Sequence, residues 1–327
     1  MSAEINRRNF IRGSLALSAG GALASGLGKG QATADEKPAA PQAAATPEEK
    51  LPLGKLGKLQ VSRMLLGGNL LTCYTHARDL RFVYKLIKLY NTDEKIRETL
   101  ELAEQHGINA LAINISPGTM KVFERHRKQG GKMQYIIHPT AKITPDLGDY
   151  ETELRQLADF GIQATYVWGC WGDQLLAEGK VGLIAKAVEA AKKHNLLSGV
   201  GAHDLRVVEE CEKNKIPVDF YVKTFHHHNY GSAPRPDQVK GPTCEVPGYW
   251  CQNPDAVIEV MKKVEKPWIA FKVMAAGTIR PQDAFKYAFE NGADHILVGM
   301  FDFEVAEDVK IARNALAELK RTRPWRT

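Results

Sequence analysis

The constraint that decides what this chain can fold into is an alternation. From Thr92 onward, short apolar runs take turns with longer amphipathic ones. Ile96, Leu100, Leu102, Ala103 and His106 mark an amphipathic helix stopped by Gly107, followed by an apolar run over 108–115. Ser116-Pro117 predicts an N-cap with proline at the first helical position. Strands follow over 133–138, 164–169, 197–202, 218–225, 268–274 and 295–300, with helices over 150–160, 178–195, 205–214, 254–264, 281–291 and 304–321. With a first strand over 61–68, that makes eight strands, each followed by a helix, in about 265 residues. This is the pattern of an α/β chain folded as a (β/α)8 TIM barrel. A doubly wound open sheet is the alternative, but it seldom needs eight strict repeats. Residues 70–91 interrupt the pattern; Leu80, Val83, Leu86, Ile87 and Leu89 recur at roughly helical spacing and predict a helical excursion.

The N-terminus does not belong to that pattern. Arg7-Arg8 before Phe10, a weakly apolar stretch rich in glycine and serine, and Ala32-Thr33-Ala34 predict a twin-arginine signal over residues 1–34. Such a signal implies the twin-arginine export machinery, a periplasmic destination, and no stable membrane association once it is removed. Residues 35–50, with three prolines and five alanines, predict a disordered linker, leaving 51–327 for the barrel. The net charge is +6. Residues 1–34 supply half of it, through Arg7, Arg8, Arg12 and Lys29 against Glu4. No basic stripe is left to bind nucleic acid. Five cysteines do not make a disulfide framework, although Cys244 and Cys251 could bridge one loop.

Chemistry is expected where strands end, because a parallel barrel gathers its strand ends at one mouth. The run 217–230 is the densest such place: an apolar strand that ends in Lys223, Thr224, Phe225, His226, His227 and His228. Asn69, His76, Asn114, His138, Cys170, His203, Asp204 and Lys272 fall at or near other strand ends. Two chemistries fit. His203, His226 and His227, with Asp204 or a thiol, could hold a divalent transition metal. Alternatively His138, Lys223 and Lys272 could carry acid–base or Schiff-base work, a buried lysine having its charged form disfavoured. Alternation along 219–225 leads us to expect Tyr221, Lys223 and Phe225 inside the barrel, with Phe220, Val222 and Thr224 against helices. Tyr74, Trp168, Trp171, Phe225, Tyr230, Tyr249 and Trp250 could line a pocket for a small, planar or sugar-like molecule.

Several stretches, in order along 51–320, resemble the aldo/keto reductase family. They are Leu53-Gly54-Lys55-Leu56-Gly57 leading into Leu66-Gly67-Gly68, Leu157-Ala158-Asp159-Phe160-Gly161-Ile162, Ser198-Gly199-Val200-Gly201 before Val207-Val208-Glu209-Glu210-Cys211, and Gly292 through Met300. The resemblance implies a TIM barrel. It would also imply a catalytic Asp, Tyr, Lys and His, but the matching places read Ala112-Ile113-Asn114-Ile115-Ser116, His138 and Trp168-Gly169-Cys170. The Ser-Asn pair that would hold a nicotinamide falls on Gly201-Ala202, and the Gln of strand six on Val222. The ring-stacking aromatic falls on Phe225, while Asp302 and Glu304 stand where a phosphate would need a cation. NAD(P) binding is therefore expected to be weak or absent. The leading expectation is a divergent enzyme acting on a small polar metabolite such as a sugar, as an oxidoreductase relative or a metal-dependent lyase or isomerase. An NAD(P)-dependent oxidoreductase with a modified cofactor site and a non-catalytic binding barrel are the alternatives.

Overall fold

The computed structural model describes residues 51–326 except 75, 77–79 and 236–250. The signal, the linker, Cys244, Tyr249 and Trp250 lie outside the described residues. An antiparallel hairpin comes first, β1 (Leu53–Leu56) and β2 (Leu59–Ser62). Eight parallel strands then close a barrel: β3 (Met64–Gly67), β4 (Ala110–Asn114), β5 (Gln134–His138), β6 (Ala164–Val167), β7 (Leu197–Ala202), β8 (Phe220–Thr224), β9 (Trp268–Phe271) and β10 (His295–Val298). They pair in sequence order, and β10 pairs with β3. Between and after them lie helices α1 (Phe82–Tyr90), α2 (Asp93–Gln105), α3 (Pro117–Lys128), α4 (Gly148–Phe160), α5 (Gly169–Ala177), α6 (Val181–Lys193), α7 (Leu205–Lys213), α8 (Pro254–Lys263), α9 (Pro281–Glu290) and α10 (Asp302–Ala317). The expected TIM barrel is what forms, and the excursion before Thr92 contains α1. Among the described residues no helix is long and apolar enough to cross a membrane.

Local chemistry sets the boundaries. The Thr92 hydroxyl accepts from the Lys95 amide and Asn253 Oδ1 from the Ala256 amide, starting α2 and α8. Ser116 takes the extended N-cap backbone before Pro117, but its side chain makes no cap bond. The helix expected over 178–195 forms as α6, and an additional helix, α5, precedes it, with Gly179 in left-handed backbone between them.

The barrel interior is a compact apolar core. Leu65, Ala110, Ala112, Ile136, Ala164, Tyr166, Phe220, Val222, Ile269 and Leu297 fill it, with Leu56 and Val61 of the hairpin joining the same cluster. The expected facing of β8 is thereby reversed. Phe220 and Val222 point inward, while Tyr221 reaches Glu212 of α7 through its hydroxyl and Phe225 stacks on Tyr287 of α9. The physical reason is volume. Barrel interiors take compact branched and aromatic side chains in layers, whereas the outer face offers long side chains a wider gap between strand and helices.

Buried imidazoles give the fold a pH limit. Burial lowers His138 and His295 from the ordinary 6.5 to about 4. Both are neutral in the folded state and take up protons on unfolding. Stability is therefore full above pH 6.5 and is lost as pH falls toward 4, by up to about 1.4 kcal/mol per histidine per pH unit. Urea midpoints measured from pH 7 to pH 4 should decline through that window. A flat profile would contradict it.

Candidate active site

The mouth at the carboxyl ends of the strands holds a cavity of about 280 Å³. Its wall includes His76, His138, Tyr166, Trp168, His203 and Lys272, with the amides of Asn69 and Asn114 beside them.

His203 is the best-supported group in it. Asp173, on α5, accepts a hydrogen bond from the His203 ring at Nδ1, 2.8 Å away. Its other oxygen accepts from the backbone amides of His203 and Asp204, at 3.0 and 2.9 Å. Both residues are buried. The carboxylate thus fixes ring orientation and tautomer, leaving Nε2 as the nitrogen available to a ligand. Burial holds the His203 pKa below the usual value; Lys272 pushes it the same way and Asp173 opposes. His203 is therefore neutral at pH 7 and able to accept a proton.

Glycine brings that pair together. A Cβ on Gly172 would stand 2.6 Å from the Gly201 carbonyl oxygen, so α5 can lie directly on the end of β7 only because residue 172 has none. Asp173 was not singled out in the sequence. Gly169-x-x-Gly172 at the start of a helix, beside a glycine-rich strand end at Gly199 and Gly201, was the available signal.

His76 and Lys272 complete the cluster. The Asn69 amide donates to His76 Nε2 at 3.3 Å. Burial first, then Lys272 and His203, lower the His76 pKa to about 3. Lys272, just after β9, has φ +56°, and Ala275 and Ala276 follow at +46° and +57°. Three non-glycine residues in left-handed backbone within five positions are costly, and strain of this kind gathers at functional sites. His138 donates from Nδ1 to the Pro139 carbonyl at 3.1 Å and stacks on Trp168 with ring centroids 5.7 Å apart. Trp171 meets Trp168 edge-on and donates to the Thr140 carbonyl.

Other expected groups are elsewhere. Lys223 is buried on the outward face, where its ammonium donates to the carbonyl and hydroxyl oxygens of Thr224. Burial lowers its pKa. It does not line the cavity. Phe225 is buried between Trp268 and Tyr287, out of reach of a ligand at the mouth. His226 donates to the His227 carbonyl, and the His227 ring meets Tyr287 edge-on while its Nδ1 accepts from the Asn229 amide. The donor set expected from His203, His226 and His227 is thus not assembled. Among the described residues no three His, Cys, Asp or Glu side chains are grouped to hold a metal ion. Asp204 caps α7 and pairs with Arg206. Cys251 is a free, buried thiol, and Cys170 is disulfide-bonded, so it offers no thiolate. Because Lys223 does not line the cavity, Lys223→Met is expected to change turnover by no more than a few-fold, through the charge that Lys223 places near His203, and to act mainly on stability through the lost hydrogen bonds to Thr224. A hundredfold loss of turnover would contradict that placement.

A second cavity, of about 300 Å³, adjoins the first and shares Asn69, His76, Tyr166, Phe271 and Lys272 with it. Val83 and Ile87 of α1, Met274, Gly277, Phe301 and Glu304 are among its other walls.

Both the N-terminal segment and the eight-stranded parallel barrel have counterparts among known proteins. Residues 4–24 match the family model of the twin-arginine translocation pathway signal sequence. The chain is thus directed to the twin-arginine machinery and exported across the cytoplasmic membrane. No curated protein matches the chain. Two solved structures assigned as aldo-keto reductases of Pseudomonas aeruginosa are similar to it at 17% identity. They cover 81% and 82% of this chain and 94% and 98% of their own, with TM-scores of 0.56 and 0.54. The apo form of Gox0644 is similar at 10% identity, covering 84% of this chain and 95% of its own, with a TM-score of 0.53. At such identities the likeness shows the fold alone. The chain thus carries an export signal and has the barrel fold of those structures.

Proposed function

We propose that this barrel is a periplasmic acid–base enzyme that moves a proton on a small polar metabolite, a sugar or sugar derivative, as an isomerase or lyase does. The observation that carries the reading is the buried His203–Asp173 pair opening on a cavity that also holds Lys272. Neutral His203 Nε2 removes a proton from the carbon next to a carbonyl, and the electron pair moves onto the carbonyl oxygen. Asp173 stabilises the imidazolium that results, as an orienting carboxylate does. The Lys272 ammonium and the amides of Asn69 and Asn114 are the groups suited to hold the developing oxyanion. Return of the proton to the former carbonyl carbon, with the hydroxyl proton of the deprotonated carbon passing to the oxyanion, gives an isomer; re-formation of the carbonyl with loss of a leaving group from the carbon on the other side of the deprotonated one gives elimination. Trp168 and Tyr74 supply flat surfaces for a sugar ring. The cavity is at the small end of ligand sites, which favours a single ring over an oligomer.

The test is a panel of keto and aldehydo sugars and their acids, incubated with the protein in D2O and followed by proton NMR. Exchange of one carbon-bound proton, lost in His203→Asn, is expected. No exchange with any member, or exchange that survives in His203→Asn, overturns the reading.

A nicotinamide-dependent oxidoreductase is the second reading, favoured by the cavity that adjoins the first. Glu304 on its wall would repel a phosphate. Weak NADPH binding is therefore expected by fluorescence titration, and micromolar or tighter binding would transfer the assignment to this second reading.

A further inference from the structure

Helix α1 carries side chains that the barrel does not use. Val83 and Ile87 face inward, where they wall the second cavity. Phe82, Leu86 and Leu89, at i, i+4 and i+7, form an outer stripe that is 61%, 55% and 78% exposed. Leu80 before the helix is 52% exposed. Phe303, at the start of α10, is 63% exposed, and Tyr90 joins it to α1: its ring meets Phe301 and Phe303 edge-on, and Phe301 stacks on Phe303. Five large apolar side chains this exposed and this close mark an interaction surface, not scatter.

A second stripe runs beside the first. Arg81, Lys85 and Lys88, also at i, i+4 and i+7, are exposed, and α1 itself contains no acidic residue. Asp302, an acid that borders the patch, is engaged by the Tyr90 hydroxyl at 2.5 Å and the Lys95 ammonium at 3.1 Å. The outer surface of α1 is therefore apolar and cationic together. A protein partner would need an acidic rim around an apolar centre. An anionic lipid surface presents that combination everywhere, with phosphates at the level of the lysines and acyl chains just beneath.

We propose that α1 and Phe303 dock the exported protein on an anionic lipid bilayer, with Phe82, Leu86, Leu89 and Phe303 entering the headgroup–acyl boundary and Arg81, Lys85 and Lys88 meeting lipid phosphates. The association is peripheral and salt-sensitive, and it does not need the signal segment. The inner side of the same helix walls the second cavity, so docking sets that cavity against the membrane.

The test is co-sedimentation of protein recovered from an exporting host with vesicles of phosphatidylglycerol and phosphatidylcholine, one to one, and with vesicles of phosphatidylcholine alone. Binding to the mixed vesicles is expected, several-fold weaker on pure phosphatidylcholine and in high salt. Leu86→Glu with Leu89→Glu should lower partitioning about tenfold or more, and Lys85→Glu with Lys88→Glu should lower it on the mixed vesicles only. These positions are exposed, so melting temperatures should not move; Phe303→Ser, on a different helix, gives an independent reading of the same loss. The proposal is overturned if the protein sediments with neither vesicle, if the leucine double variant binds as wild type does, or if ultracentrifugation shows a dimer that the leucine variant abolishes while vesicles go unbound. That last result would make a second copy of the chain the occupant.

Discussion

Replacing His203 with asparagine is expected to lower turnover about 10²- to 10⁴-fold, the usual cost of losing a general acid or base, with little change in melting temperature. Asparagine is chosen because its amide can still donate to the Asp173 carboxylate, so the buried charge is not left without a donor. Asp173→Asn approaches the same pair from the other side. Its amide oxygen can still accept from the backbone amides of His203 and Asp204, which keeps the end of β7 in place. What it loses is the negative charge that supports the imidazolium and fixes the tautomer. Turnover should fall in this variant too. The pH profile separates chemistry from structure. Burial and Lys272 hold the His203 pKa below 6.5, so activity should persist below that pH before it falls. Asp173 raises that pKa, and in Asp173→Asn the acid limb should therefore move lower still. A variant that loses turnover only through stability would show the wild-type limb with less enzyme. An unmoved limb in Asp173→Asn would remove the pair from the mechanism.

Much of the frame was legible because alternation of apolar runs survives wherever strands are buried on both faces. His138, His203 and Lys272 reach the mouth for the reason that made them candidates: each sits at or just past the last residue of a barrel strand. Lys223 and Phe225 also stand near a strand end, yet they face helices. Pattern alone could not set that parity, since Phe220, Val222 and Thr224 are as apolar or small as an outer face allows. The interior could take the Phe220 ring because its partner across the sheet is Gly199, where a Cβ would stand 2.4 Å from that ring. His226 and His227 lie past the end of β8, where the chain turns and neighbouring side chains diverge. Asp173 was not legible as a partner of His203. The two are thirty positions apart, and they meet only because glycines let α5 settle on β7. Helix α1 could be read as a helix, but its outward apolar stripe looked like any core-facing one until the barrel showed which side was already occupied.

Asp294 provides the largest stability effect to be expected from one substitution. It is fully buried just before β10, and it binds two guanidinium groups, those of Arg321 and Arg323. Its carboxylate also accepts from the backbone amides of Trp268 and Arg326. Arg323 is itself buried and donates further to the carbonyls of Gly292, Val264 and Lys266, which ties the chain after α10 to the start of β9. Gly292, at φ +108°, leaves room for it: a Cβ there would stand 2.9 Å from that of Arg323. Asp294→Ala removes one charge and strands two. An uncompensated buried charge costs about 3–5 kcal/mol, so the urea midpoint should fall by that equivalent, a large share of the stability of a typical domain. Arg323→Met alone should cost less, because Arg321 still faces the carboxylate. If the three groups act as one unit, Asp294→Ala and Arg323→Met will not add. The double variant should then be more stable than the sum of the single losses predicts, because removing Arg323 relieves part of the repulsion left by the missing carboxylate. Strict additivity would mean that the charges are screened by water and that the carbonyl bonds of Arg323 alone hold the C-terminal segment.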